Sequence, residues 1–493
     1  MTHFSFMKTP NVRHALTGIL SLCVVMGSVL PAAAQSLLRD TEIEEVLEDF
    51  TTPILRAGGL SPDSVDLYIV NDPSLNAFVT RGQKIFLHSG LIMVSDNPNQ
   101  LKGVIAHEAG HIADGRIARS DYQNRSAYGS MLIAAGLGLA AILAGEGQAG
   151  AAILMGAPQF GQINVLAHTR TGESVADQYA AQYLERTGQS GKGLIAFFDK
   201  FRYQEVLSSA RRYPYFRSHP LSSERIDVLR EVVDRSPSRD AVDSEEDKFK
   251  LEMVKAKLRG FLDGPQVVFS KYPESDLSPP ARYARSVAYF KGADLGNATR
   301  EIDALIETDP TNPYFYELKA QILYESGRGE ESMEPIRKAI ELKPNAPLLQ
   351  TAYAQALVES GTQEALEEAV TVLKSSLQSE PSNGMSWYVL GQAYGKQNEE
   401  PLAKYATAEQ AYALGNLERA RSFAKRAQED LERNTPQWRR ASDIIVIADT
   451  QLAKKKRYRP RPNFGFTHGT DEHMTDKRKN DSHFSDSLER FRN

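Results

Sequence analysis

The sequence predicts two unlike halves: an α+β domain, mostly helical with a small sheet, followed by an all-α solenoid of paired helices. Three observations predict this. Segments between residues 65 and 88 alternate apolar and polar side chains, as half-buried strands do. Residues 98–119 carry apolar side chains at helical spacing, with two histidines four positions apart. Beyond residue 260 the chain reads as helix throughout, and its turn signals return after 34 residues.

A chain of 493 residues is too long for one ordinary domain. Charged residues at 25% and apolar residues at 41% are ordinary globular composition, and a net charge of −5 gives no reason to expect nucleic acid. Lys8, Arg13 and His14 precede an apolar run from Ala15 to Leu30, and Pro31-Ala32-Ala33-Ala34-Gln35 then offers small residues. That order predicts a secretory signal peptide over 1–34 and export to the periplasm, a retained membrane anchor being the alternative. Leu22 is bulky where a lipoprotein site at Cys23 would want a small residue. Cys23 is the only cysteine. Once the signal is removed, any transition metal must be held by imidazole and carboxylate.

The first folded unit is expected over 35–233. Ile43, Val46, Leu47 and Phe50 have helical spacing, with Asp40 or Thr41 as the cap. Val65 to Val70 reads as a strand, and Asn76–Thr80 and Lys84–His88 read as a strand pair joined near Arg81-Gly82. The apolar stretch from Met131 to Met155 is split by Gly145 to Gly150, and each half is shorter than the ~20 residues a bilayer requires. It reads as a helical hairpin on the core or over the site, with peripheral membrane contact as the alternative.

Residues 234–260 read as an acidic linker and connecting helix, because Asp234 to Asp247 is polar and acidic. Over 261–456 the sequence repeats. Asp309-Pro310 aligns with Lys343-Pro344, and Gly327 with Gly361, after 34 residues; Glu380-Pro381 follows 37 later. Ala320, Ala354 and Ala393 recur inside the first helix of each unit, where small side chains let helices approach. This period resembles the tetratricopeptide repeat. Four to five units are expected between Ser278 and Gln428, with outer turns at Leu295–Ala298 and Leu414–Ala420 and a terminal helix from Gln437 to Lys454. Such a solenoid either presents a groove for protein segments or holds domains together. The tail over 457–493 is polar and reads as disordered, and its His468, His473 and His483 lack ligand spacing.

His107-Glu108-Ala109-Gly110-His111 is the chemical centre of the sequence. On a helix, residues four apart share a face, so both imidazoles can address one ion while Glu108 reaches a water beside it as general base. One Zn2+ per chain is the expected metal, since zinc accepts two imidazoles and a carboxylate. Glu173 is the candidate third ligand, at the start of a helix rich in small residues, the alternative being a helix N-terminal charge. Asp177, one turn on, is placed to hydrogen-bond a ligand histidine. The α+β half is therefore expected to be zincin-like.

The segment Pro98 to Leu184, with this motif and Glu173-x-x-x-Asp177, resembles the zinc peptidase family that includes HtpX, Oma and the CAAX prenyl proteases. Leu75 to Val79 and Lys84 to Ile92 look like that family's edge-strand region, which implies that Asn76, Ala77 and Phe78 pair with extended substrate backbone. Ser218-His219-Pro220 to Ile226 is similar to its His-Pro segment with a following arginine. With signal and repeats in this order, the chain resembles BepA-like periplasmic proteases associated with outer-membrane β-barrel assembly. The resemblance implies His107, His111 and Glu173 as ligands and Glu108 as base. It also implies His219 as a masking ligand in the fourth metal position; alternatively His219 lines the site or bonds the transition state. Arg225 is read as a structural ion-pair partner.

Two functions follow as expectations. One is a periplasmic zinc endopeptidase that degrades misfolded or stalled envelope proteins, with repeats that recruit substrates or the outer-membrane assembly machinery. The other is a chaperone or assembly scaffold whose proteolysis is masked or secondary. A membrane-embedded peptidase is disfavoured by the short apolar halves.

Overall fold

The computed structural model describes residues 37–115, 171–207, 219 and 221–457. The expected signal, the apolar stretch 131–155 and the tail from 458 onward lie outside these residues. No helix among those described is long and apolar enough to cross a membrane.

The first half is α+β. Helix α1 (Thr41–Ala57) starts at Asp40, whose carboxylate accepts from Ile43 N, and buries Ile43, Val46, Leu47 and Phe50. A four-stranded sheet follows in the order β1 (Leu37–Leu38), β2 (Asp66–Val70), β4 (Lys84–His88), β3 (Ala77–Thr80). β2 runs parallel to β4, and β3 forms an antiparallel hairpin with it. The hairpin turn needs two left-handed residues, Gly82 at φ 83° and Gln83 at φ 56°. Ala77, Ile85 and Leu87 face the core, so Phe78, Phe86 and Tyr68 share the other face.

After the short α2 (Ser89–Val94), α3 (Pro98–Asp114) carries the histidine motif. Asn97 caps it by accepting from Gln100 N, and Gly115 ends it in the left-handed conformation at φ 66°. It therefore stops short of the expected Arg119. Then come α4 (171–186), α5 (Lys192–Leu207) and α6 (Ser223–Arg235).

Helix α7 (Glu245–Leu262) joins the two halves with both faces. Leu251, Val254 and Leu258 enter the first core, while Met253 and Ala256 enter a second with Tyr283 and Phe315. The acidic stretch before it and its first turn are pinned down: Asn99 N donates to Asp243, Ser190 Oγ donates to Arg239 O, and Lys102 Nζ lies 2.7 Å from Asp247.

The second half is all α, in hairpins. After α8 (Pro265–Lys271) come α9 (Pro279–Lys291) and α10 (Leu295–Thr308), α11 (Pro313–Glu325) and α12 (Gly329–Leu342), α13 (Pro347–Ser360) and α14 (Gln363–Ser379), and α15 (Gly384–Lys396) and α16 (Glu400–Ala413). α17 (Leu417–Asp430) and α18 (Pro436–Arg457) close the array. Proline opens α9, α11 and α13 at intervals of 34 residues, where its missing N–H is not needed. Each hairpin turn holds one left-handed residue: Ala293, Gly327, Gly361 and Asn398. The turn expected at Leu295–Ala298 is instead the first turn of α10, because Asp294 caps that helix by accepting from Asn297 N. Two of the four left-handed positions hold non-glycine residues, which hid the period at those units.

A buried charge cluster ties the halves together. Lys257 Nζ on α7 lies 2.7 Å from Asp40, 3.1 Å from Glu42 and 3.8 Å from Glu317 on α11. Tyr283 OH donates to Glu42 at 2.7 Å. Lys343 and Tyr314 both reach Glu45 on α1.

Candidate metal centre

Two helices and one loop residue build the site. On α3, His107 and His111 share a face, and on α4, Glu173 and Asp177 do the same one helical turn apart. Gly110 permits the two helices to meet: a Cβ there would stand 2.8 Å from Ala176 O. Any larger residue would push Glu173 and Asp177 away from the histidines. His219 arrives from just before α6.

One donor atom from each of His107, His111, Glu173 and His219 converges, all within 4.8 Å. His107 Nε2 is 3.1 Å from His111 Nε2 and 3.3 Å from His219 Nδ1, and His111 Nε2 is 3.3 Å from His219 Nδ1. Glu173 completes the set through both oxygens: Oε2 lies 3.4 Å from His107 Nε2 and 3.1 Å from His219 Nδ1, and Oε1 lies 3.5 Å from His111 Nε2. A tetrahedron with ligands about 2.0–2.1 Å from its centre has edges of about 3.3 Å. Five of the six edges among His107 Nε2, His111 Nε2, His219 Nδ1 and Glu173 Oε2 measure 3.1–3.4 Å, and no edge exceeds 4.8 Å, so these residues fit a tetrahedral metal ion of zinc's size.

The surroundings favour a cation. Burial alone would lower the pKa of His107, but Asp177 and Glu173 overcome it and raise the value to about 10. Burial would raise Glu173, yet His107 and His219 hold it well below the usual carboxylate range. His111 is pushed well below an ordinary histidine by burial and by the charge of His107. His107 Nδ1 lies 2.9 Å from Asp177 Oδ1, which fixes the ring and leaves Nε2 for the ion.

Arg225, on α6, braces both carboxylates. Its Nε and Nη2 donate to Asp177 at 2.8 and 2.9 Å, and Nη1 lies 3.3 Å from Glu173. The guanidinium sits 5.5 Å from the Phe198 ring, whose edge meets His107. The sequence had marked Arg225 as an ion-pair residue without naming its partners, which lie 48 and 52 positions earlier. Its place in the Ser218–Ile226 segment was the only signal.

Glu108 is wholly buried, and neither carboxylate oxygen has a hydrogen-bond partner among the described residues. Burial pushes its pKa up, with Glu173 adding and the charges of His219 and His107 opposing. His219 Nε2 is 3.5 Å from Glu108 Oε1, so this one imidazole stands between the donor set and the buried carboxylate. An unpartnered buried carboxylate is costly and is retained where it handles protons. Asn76 immediately precedes β3, while Ala77 and Phe78 lie on it, at the edge of the sheet and beside α3.

Comparison with known proteins agrees with this geometry. Residues 37–233 match the family model described as Peptidase family M48. The chain is 26% identical over 374 residues to the "Beta-barrel assembly-enhancing protease" of Escherichia coli (strain K12), covering 74% of each. It is 24% identical over 421 residues to the "Putative beta-barrel assembly-enhancing protease" of Vibrio cholerae, covering 79% of this chain and 84% of that one. It is also 29% identical over 177 residues to "Metalloprotease YcaL" of Escherichia coli (strain K12), covering 35% of this chain and 63% of that one.

Proposed function

Because residues 37–233 match the model of Peptidase family M48, we propose that the chain is a periplasmic zinc endopeptidase acting on outer-membrane proteins that are misfolded or stalled in assembly. The convergence of His107, His111, Glu173 and His219 donors at 3.1–3.5 Å, beside a buried Glu108 that no described residue hydrogen-bonds, carries the chemical part. The expected signal sequence and the names of the similar proteins support the location and the substrate class. The repeat half supplies the surface on which substrates or assembly partners are held.

His107, His111 and Glu173 would hold the ion. When bound, it supplies a Lewis acid that polarises the scissile carbonyl and acidifies water. Glu108 takes the proton of the attacking water on its carboxylate and passes it to the leaving amine nitrogen. Asp177 keeps the His107 ring in place, and Arg225 keeps Asp177 and Glu173 in place. The edge strand over Asn76, Ala77 and Phe78 holds the substrate backbone extended.

A second reading keeps the chain at rest as a chaperone or scaffold. The position of His219 Nδ1 favours it, because a fourth protein donor leaves no position for water. Both readings meet in one experiment. Wild type should carry one zinc per chain; Glu108→Gln should keep the metal and lose casein cleavage; His219→Ala should cleave faster than wild type. Purified protein without stoichiometric metal after zinc incubation would sink the site, and a slower His219→Ala would sink the masking role.

A further inference from the structure

β3 carries a stacked aromatic row up to the sheet edge. Tyr68, Phe86 and Phe78 are cross-strand neighbours, with Tyr68 opposite Phe86 and Phe86 opposite Phe78. Their rings stack at centroid separations of 5.0 and 4.9 Å, tilted by only 18° and 9°. Phe78 is the last ring of the row, is partly exposed, and among the described residues no strand pairs with the far side of β3.

The hydrogen-bond phase of β3 fixes what a further strand would meet. His88 N–H donates to Asn76 O, which makes 76 and 88 a hydrogen-bonded pair, and by alternation 78 and 86 are another. The backbone groups of Phe78 therefore point at β4, and those of Ala77 and Val79 point at the free edge. An antiparallel strand added there would bond to Ala77 and Val79. Its residue facing Phe78 would occupy a non-hydrogen-bonded pair, the arrangement with the closest side chains.

We propose that Phe78 is a specificity-determining residue: the peptidase selects substrate segments with an aromatic side chain opposite Phe78, which extends the stacked row by one ring. This rests on the reading of β3 as the substrate-binding edge. Val79 and Ala77 point into the core, so among the described residues the subsite is open only on the Phe78 face. One offset stacked pair corresponds to a preference of roughly 2- to 10-fold over an aliphatic residue of similar size.

The test uses the full chain and short unstructured peptides of Ser, Thr and Gly in which one Phe is moved position by position, with matching Leu peptides. Cleavage is read by mass spectrometry and binding by fluorescence anisotropy. Wild type should favour Phe over Leu at one fixed position relative to the cut or, if uncut, in binding register. Phe78→Ala and Phe78→Leu should flatten that preference and leave the other positions unchanged. A preference that survives both variants, or no Phe preference in wild type, overturns the proposal. Failure to bind or cut any peptide overturns the peptidase reading itself, and this proposal with it.

Discussion

Replacing Lys257 with methionine isolates what joins the two halves. Lys257 is 4% exposed, and its ammonium is the cation among Asp40, Glu42 and Glu317 at 2.7, 3.1 and 3.8 Å. Methionine fills much of the stem's volume but leaves three acidic groups around an apolar end. Removing one partner of a buried ion pair costs about 3–5 kcal/mol. Two features pull the value toward the lower end. Asp40 keeps its bond from Ile43 N, and Glu42 keeps the Tyr283 hydroxyl. We expect a loss of about 3 kcal/mol at pH 8 and a smaller one at pH 5.5, where the carboxyls take up protons. Urea unfolding followed by circular dichroism should also separate into two transitions, since the cluster links α1 and α7 to the repeats. A loss below about 1 kcal/mol at pH 8 would refute the reasoning, because the ammonium would then not be compensating buried charge.

The Glu317 carboxyl, raised to about 7 by burial and by Asp40 and Glu42 against Lys257, binds a proton in the folded chain that the unfolded chain has lost. Stability should therefore fall as pH rises from about 4.5 to 7, by up to about 3 kcal/mol, and Glu317→Gln should flatten that slope in denaturant titrations. Arg225→Met should weaken zinc binding about 10- to 100-fold in competition with a chelator, because Asp177 and Glu173 lose their brace, and Arg225→Lys should recover part of it. Unchanged affinity in Arg225→Met would contradict the brace. Glu108→Gln should raise the melting temperature of the metal-free protein by removing a buried carboxylate that no described residue hydrogen-bonds; a drop would show that the 3.5 Å contact with His219 stabilises the carboxylate.

The parts of this fold that the sequence made legible are those governed by local rules. Ile43, Val46, Leu47 and Phe50 point inward because a period of 3.6 leaves no other choice. The β3–β4 hairpin follows from alternation around Gly82, and Pro310, Pro344 and Pro381 mark the repeat because proline follows the end of a helix. What stayed hidden depends on contacts between distant residues. Nothing local to Arg225 names Asp177 and Glu173, and nothing local to Lys257 says that it is shared by two domains. Helix α7 has apolar residues on both sides, and the expected connecting helix is also a wall shared by both cores, which no local pattern announces. The left-handed Ala293 is the sharpest failure, since sequence alone argues against alanine there.

His219 and Arg225 hang from the same helix start. Ser222 caps α6 by accepting from Arg225 N, and only three residues carry the chain back from that cap to His219. A peptide of that length reaches about 10 Å when fully stretched. His219 therefore works on a short leash. Any displacement of His219 beyond that reach has to lift α6, and with it the Arg225 that holds Asp177 and Glu173 in place.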